Sequence, residues 1–164
     1  LLPPPSVEDA QAELTRLATA LNAERGSANY GKQMMDDRLL EWTRQIATLA
    51  KLPPTERTIP FEVQGVRAGD FAVVGLPGEV FVEYALNIDA DSPFGVTAVA
   101  GYTNGNVGYI PTASAYPEGG YEVLSAIRFY GTTMPTPESE ERILRTAREV
   151  LQRLAAPPTG PRTA

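Results

Sequence analysis

Two hydrophobic periods divide the chain. Early on, apolar residues recur every three or four positions, as on one face of a helix. Ser6 stands as an N-cap with Asp9 three positions later, and Ala10, Leu14, Leu17, Ala18 and Leu21 follow at helical spacing. This predicts a helix that ends near Gly26, then a loop over 26–31. A second helix is predicted over about 33–51, with Met35, Leu39, Trp42, Ile46 and Leu49 as its stripe and Pro53-Pro54 as its stop. The Met34-Met35 pair at its start reads as packing rather than a cofactor box.

The period then changes to two. Ile59, Phe61 and Val63 alternate with polar neighbours, as in a half-buried strand. Gly69-Asp70 reads as a hairpin turn. The run FAVVGL, 71–76, reads as a strand covered on both faces, broken by Pro77-Gly78-Glu79. Phe81, Tyr84, Ala85 and Ile88 predict a helix from about Glu79 to Asp89, and 96–100 predicts another buried strand. The loop over 102–108 carries Asn104, Gly105, Asn106 and Gly108, residues that tolerate unusual dihedrals. Thr136 and Pro137 mark the N-cap and first position of a last helix with Ile143, Leu144, Ala147, Val150, Leu151 and Leu154 on its apolar face. Its charged residues, Glu138, Glu140, Glu141, Arg142, Arg145 and Arg148, read as a solvated face with i,i+4 pairs.

Strands that alternate with helices predict an α/β fold: a mixed sheet with flanking helices, as the distal part of a larger layered domain. The 164 residues suit one domain, with Leu1-Leu2-Pro3-Pro4-Pro5 as a linker from a longer protein, a globular part over 6–156 and a frayed tail over 157–164.

Composition narrows this picture further. A net charge of −6 argues against nucleic acid as a partner, because phosphate binding needs a basic face. No apolar run approaches the ~18 residues of a transmembrane helix. The chain has no cysteine and no histidine, so neither a thiolate metal site nor a histidine-containing zinc site or triad is complete within it. The lack of cysteine leaves the compartment open.

The candidates for chemistry are oxygen-bearing. Glu79 follows a buried strand, where α/β sheets present functional side chains; in the other reading it occupies a helix's first turn and favours the positive end of the dipole. Tyr109 follows the flexible Asn104-Gly105-Asn106-Val107-Gly108 loop, and reads otherwise as a packing aromatic. Asn104 reads as a brace for that loop. Tyr116, Tyr121 and Glu122 surround Gly119-Gly120, which permits a sharp turn or a close backbone approach.

Taken together, these residues make a pattern. A Pro-Gly-Glu turn after a buried strand is followed by a second strand, an Asn-bearing loop, Gly108-Tyr109-Ile110-Pro111-Thr112, and Tyr121-Glu122. From about Gly69 to Glu122 this resembles the distal part of the neutral/alkaline ceramidase catalytic domain, most closely a bacterial ceramidase-like branch. The resemblance implies a zinc-dependent amidase. Glu79 and Tyr109 would be zinc ligands, and Tyr121 would stabilise the oxyanion. Asn104, Gly108, Thr112 and Glu122 would support the loop. Two histidine ligands, and a serine near the zinc-bound water, would come from the upstream part of the same protein. The substrate would be a linear N-acyl amide of lipid-like character. Zinc polarises an amide carbonyl and lowers the pKa of bound water to ~7. In the ceramidases the turn glutamate is followed by a Thr-Thr pair and a double Arg; here Val80-Phe81-Val82-Glu83-Tyr84 follows, so amide hydrolysis is better supported than ceramide itself. The alternative function is a non-catalytic ligand- or partner-binding module that keeps the fold without metal.

Overall fold

The computed structural model describes residues 1–24 and 30–157. Most of the predicted 26–31 loop and the tail beyond Pro157 lie outside them. In chain order the helices and strands are α1 (Val7–Glu24), α2 (Tyr30–Leu49), β1 (Gln64–Ala68), β2 (Phe71–Gly75), β3 (Glu79–Val80), α3 (Val82–Ala90), β4 (Val96–Ala100), β5 (Tyr109–Ile110), α4 (Ala115–Glu118), α5 (Tyr121–Leu124) and α6 (Ser139–Ala155). The architecture is α/β, with a small mixed sheet and flanking helices. Two compact units are formed, Leu1–Pro60 with Pro117–Thr136, and Phe61–Tyr116 with Pro137–Ala164.

The first unit is helical. The Asp9 amide donates to Ser6 Oγ at 3.0 Å, and the Ser6 hydroxyl donates to Asp9 Oδ2 at 2.6 Å, so the predicted cap forms. Ala10 and Leu17 of α1 are buried, as are Leu40, Thr43, Ile46 and Ala47 of α2. The α2 stripe therefore lies elsewhere than predicted at its start: Met34 and Met35 are both 50% exposed. Beyond α2, the Arg57 guanidinium donates to the carbonyls of Ala50 and Leu52 at 3.2 and 2.9 Å, satisfying oxygens that the helix end leaves open. The opening residues are tied down within this unit. The Leu2 amide donates to Met134 O at 2.7 Å, and Thr133 Oγ1 donates to Leu2 O at 2.8 Å.

The second unit holds the sheet, in the order β1-β2-β4. β1 and β2 are antiparallel across Gly69-Asp70, where Gly69 adopts φ +65°. β2 and β4 are parallel, joined through α3. Ala72, Val74 and Leu76 form the core with Tyr84 and Ile88 of α3 and Ile143, Ala147 and Leu151 of α6. At Gly65 a Cβ would collide with Val150 and Leu154, so the missing side chain lets α6 lie directly on β1.

Several expectations change here. Ile59, Phe61 and Val63 alternate in burial as predicted, yet the paired strand begins only at Gln64. The 71–76 run is paired on both edges but fully buried on one face only. On the other face lie Val66, Ala68, Phe71, Val73, Val96 and Ala98, in register across three strands. Val66 is 67%, Phe71 41% and Val96 59% exposed. α6 starts at Ser139 after a turn at 137–138, and Thr136 is not its cap. Two charges on the supposed solvated face reach other elements: Glu140 Oε2 accepts the Ala113 amide at 2.6 Å, and Arg148 Nε donates to Asp91 Oδ2 at 2.6 Å.

Two phenols in this unit are coupled to folding. Tyr84 is 1% exposed and donates to Pro111 O at 3.1 Å. Burial, then the nearby Glu140 carboxylate, pushes its pKa far above the ordinary tyrosine value. Burial, then Glu138, pushes Tyr116 up to about 12. Both phenols hold their protons more tightly folded than unfolded, so their contribution is complete below the unfolded value of ~10 and is lost as pH rises beyond it. Urea denaturation across pH should show a plateau at neutral pH and a fall above pH ~10. Tyr84→Phe should cost ~1–2 kcal/mol at neutral pH, because the buried Pro111 carbonyl loses its donor, and should flatten the alkaline fall.

Candidate functional site

The strand β2 does not end cleanly. The Leu76 amide donates to Ala100 O at 2.9 Å, extending the parallel ladder one residue. Pro77 then supplies no amide, and Gly78 adopts φ +85°. A Cβ at Gly78 would lie 2.5 Å from Gly108 O and 3.1 Å from Val107 Cγ2, so only glycine fits both the dihedral and the space. On one side of this turn, the Tyr102 amide donates to Gly78 O at 3.0 Å and the Thr103 amide to Leu76 O at 3.1 Å. On the other, the Gly78 amide donates to Gly105 O at 3.2 Å and the Glu79 amide to Gly108 O at 2.8 Å.

That clamp carries the chain directly into β3. Glu79 is thus a strand residue, not the first turn of a helix; α3 begins three positions later at Val82. β3 pairs in parallel with β5, and the register sets Glu79 opposite Tyr109 and Val80 opposite Ile110. Ile110 is 2% exposed and belongs to the core. Successive strand residues face opposite ways, so Glu79 and Tyr109 share the face turned away from that core. Both line a cleft of about 360 Å³, with Tyr102 beside them and Val82, Ala85 and Val99 among its apolar walls.

The remaining predicted residues divide by unit. Asn104 has φ +60°, and its Nδ2 lies 3.4 Å from Oε2 of Glu62, a side chain outside the loop. Gly108 is buried with φ +99°, and its amide donates to Asn106 Oδ1 at 3.0 Å. Thr112 is 4% exposed, with its hydroxyl 3.1 Å from that of Ser114. Tyr121 and Glu122 belong to the other unit, at the start of α5, after Gly119 and Gly120 turn the backbone with φ of +71° and +96°. Tyr121 is 53% exposed.

Tyr102 was not among the predicted site residues. Its backbone has φ +56°, a region uncommon for an aromatic, and no local pattern in the sequence announces that. The anchoring of the β5 exit by Tyr84 and Glu140 was equally hidden, since both read as ordinary helix residues.

As a metal edge, the Glu79–Tyr109 pair offers a carboxylate and a phenol, and a phenolate ligates only when a metal depresses its pKa. A structural or catalytic zinc takes three or four protein ligands. Among the described residues no group of three or more His, Cys, Asp or Glu gathers. The donors fit two of the four positions, and this chain has no histidine to fill the others. No protein-family model, curated protein or solved structure matches the chain.

The geometry of the pair depends on the clamp. Gly78→Ala should destabilise the chain by ~1–3 kcal/mol through the strained dihedral, with the clash against Gly108 O added. Hydrogen exchange should show protection lost first at the Glu79 and Phe81 amides, both of which bond to the 108–110 segment.

Proposed function

We propose that this chain is the distal half of a zinc-dependent amidohydrolase that cleaves a linear N-acyl amide, like the neutral/alkaline ceramidase family it resembles. The observation that carries the proposal is the register of β3 and β5, which pairs Glu79 with Tyr109 on one cleft wall. These residues lie 30 positions apart, and the resemblance assigns both to one metal.

The other half of the site, with its histidines, is proposed to come from the upstream part of the same protein. Parallel sheets are covered on both faces, and here the Val66–Phe71–Val96 face, which includes the parallel β2–β4 pair, is apolar and exposed. Bound zinc supplies a polarised carbonyl and an acidified water. Glu79 and Tyr109 would hold one edge of the metal site. The oxyanion role of Tyr121 rests on the resemblance alone; one such donor is worth ~2.7–4 kcal/mol. The departure after the turn also has a use. Val80 and Val82 stand where the ceramidases carry polar and basic residues, and they make the cleft wall apolar, suited to an acyl chain.

The test is zinc content and amidase activity of the protein that includes the upstream part. Wild type should hold zinc, and Glu79→Ala should lose most of it, with activity down at least ~10²-fold. Tyr121→Phe should keep its zinc and lose ~10²–10³-fold in kcat. Zinc and activity unchanged in Glu79→Ala would sink the proposal. A wild-type protein that binds amides but no zinc would instead be the non-catalytic binding module.

A further inference from the structure

The helical unit holds a cleft of its own, about 330 Å³, lined by α1, α2 and the short turn of helix at Ala126–Phe129. We propose that it binds a small apolar molecule carrying one carboxylate. The Arg128 guanidinium takes the carboxylate, and Leu17, Leu39, Trp42 and Ile46 take the apolar body. None of these residues belongs to the unit that carries Glu79 and Tyr109, so this site stands whether or not that pair holds a metal.

The walls are two helical stripes. Ala10, Glu13 and Leu17 recur at i, i+3 and i+7 on α1. Leu39, Trp42, Thr43 and Ile46 recur at i, i+3, i+4 and i+7 on α2. Stripes of large apolar residues would close into solid core, but α1 brings a methyl group at Ala10 and a carboxylate at Glu13. Glu13 does not fill the gap, because both its oxygens accept from Arg16, at 2.7 Å from Nε and 2.6 Å from Nη2. The indole across the cleft is fixed, its Nε1 donating to Thr132 O at 3.0 Å, and Trp42 is only partly buried. A rigid aromatic beside aliphatic side chains is the ordinary wall of a small-molecule site.

The polar groups of the lining set the sign of the ligand. Arg16 and Glu13 neutralise one another. Thr43 gives its hydroxyl proton to Leu39 O at 2.8 Å, and the indole N–H is spent on Thr132. Arg128 remains. It is exposed, and among the described residues its guanidinium has neither a hydrogen bond nor a carboxylate partner. The chain has 20 Asp and Glu against 14 Lys and Arg, so carboxylates are plentiful and this cation still goes unpaired, at the edge of an apolar cleft. A guanidinium is always charged, and its planar fork of donors matches a carboxylate at two points. A bare phosphate or sulfate would leave the apolar walls unused, and an amine would meet a like charge. A volume of about 330 Å³ is at the small end of ligand sites, which suits one ring or a short chain.

Trp42 is the only tryptophan in the chain, so its fluorescence reports directly on this wall. The full chain is titrated with phenylpropanoate, and with phenylpropanol and phenylpropylamine as neutral and cationic counterparts of the same shape. Phenylpropanoate should give a saturable change, and the alcohol and the amine should bind at least ~10-fold more weakly. Arg128→Gln should raise the phenylpropanoate Kd ~10-fold and leave the phenylpropanol Kd unchanged. Its Tm should match wild type, since the side chain is exposed and makes no contact that folding needs. Arg128→Lys, which keeps the charge and loses the fork, should fall between the two. Equal affinity of wild type for acid and alcohol, or an unchanged acid Kd in Arg128→Gln, overturns the carboxylate role of Arg128. If none of the three compounds changes the fluorescence saturably, the cleft is not a ligand site.

Discussion

The turn from Leu76 to Glu79 is gripped from both sides, and the site depends on that grip. Its amides and carbonyls bond to the 100–103 backbone on one edge and to the 105–110 backbone on the other. The two sheets are therefore joined by one continuous piece of chain: β2 leaves its ladder with β4 at Leu76, and β3 starts its ladder with β5 at Glu79. Gly78 makes the passage possible, because its backbone runs against Gly108 O with no room for a side chain. The opposition of Glu79 and Tyr109 follows from backbone register rather than from side-chain adjustment. Sites fixed by strands hold their geometry more tightly than sites on free loops.

How much of this could be read beforehand depended on whether the signal was local. The Ser6 cap, the Gly69-Asp70 turn and the apolar face of α6 each rest on neighbours in sequence, and each formed. Glu79 was placed one element late because β3 is two residues long, too short to show alternation, and because its partner lies 30 positions downstream. Phe81, Tyr84, Ala85 and Ile88 truly carry helical spacing, which drew the predicted start back to the preceding turn. The Ile59–Val63 segment teaches the converse. Its period-two burial is real, but burial and ladder pairing are separate properties, and only the second makes a strand. Glu140 and Arg148 sit where i,i+4 partners abound, so nothing local revealed that they reach Ala113 and Asp91 instead.

The site was legible to the degree that it rests on residue type. Glycine at 78 and 108 and asparagine at 104 are chosen for dihedrals that few residues adopt, and those dihedrals are present. Tyrosine carries no such mark. At 102 it occupies a glycine-like conformation, at 109 a strand, at 84 a core and at 121 an exposed helix start, and the sequence around each gives little sign of which. The segment from about Gly69 to Glu122 that carries the resemblance is also shared between two units, with Tyr116 and Pro117 at the border. Proximity in sequence there reported neither a common element nor a common unit.

The core and the candidate site draw on different residues in the sheet unit. Stability comes from Ala72, Val74 and Leu76 against Tyr84, Ile88 and the α6 face, none of which opens to the cleft. Glu79, Tyr109 and Tyr102 lie on the opposite side of the β3–β5 ladder or beyond it. The architecture would therefore survive loss of the donors. Resemblance of fold alone would then say little about reaction. What ties this chain to chemistry is narrower: a carboxylate and a phenol kept in register by a turn that tolerates only glycine, beside an aromatic held in a conformation it does not prefer.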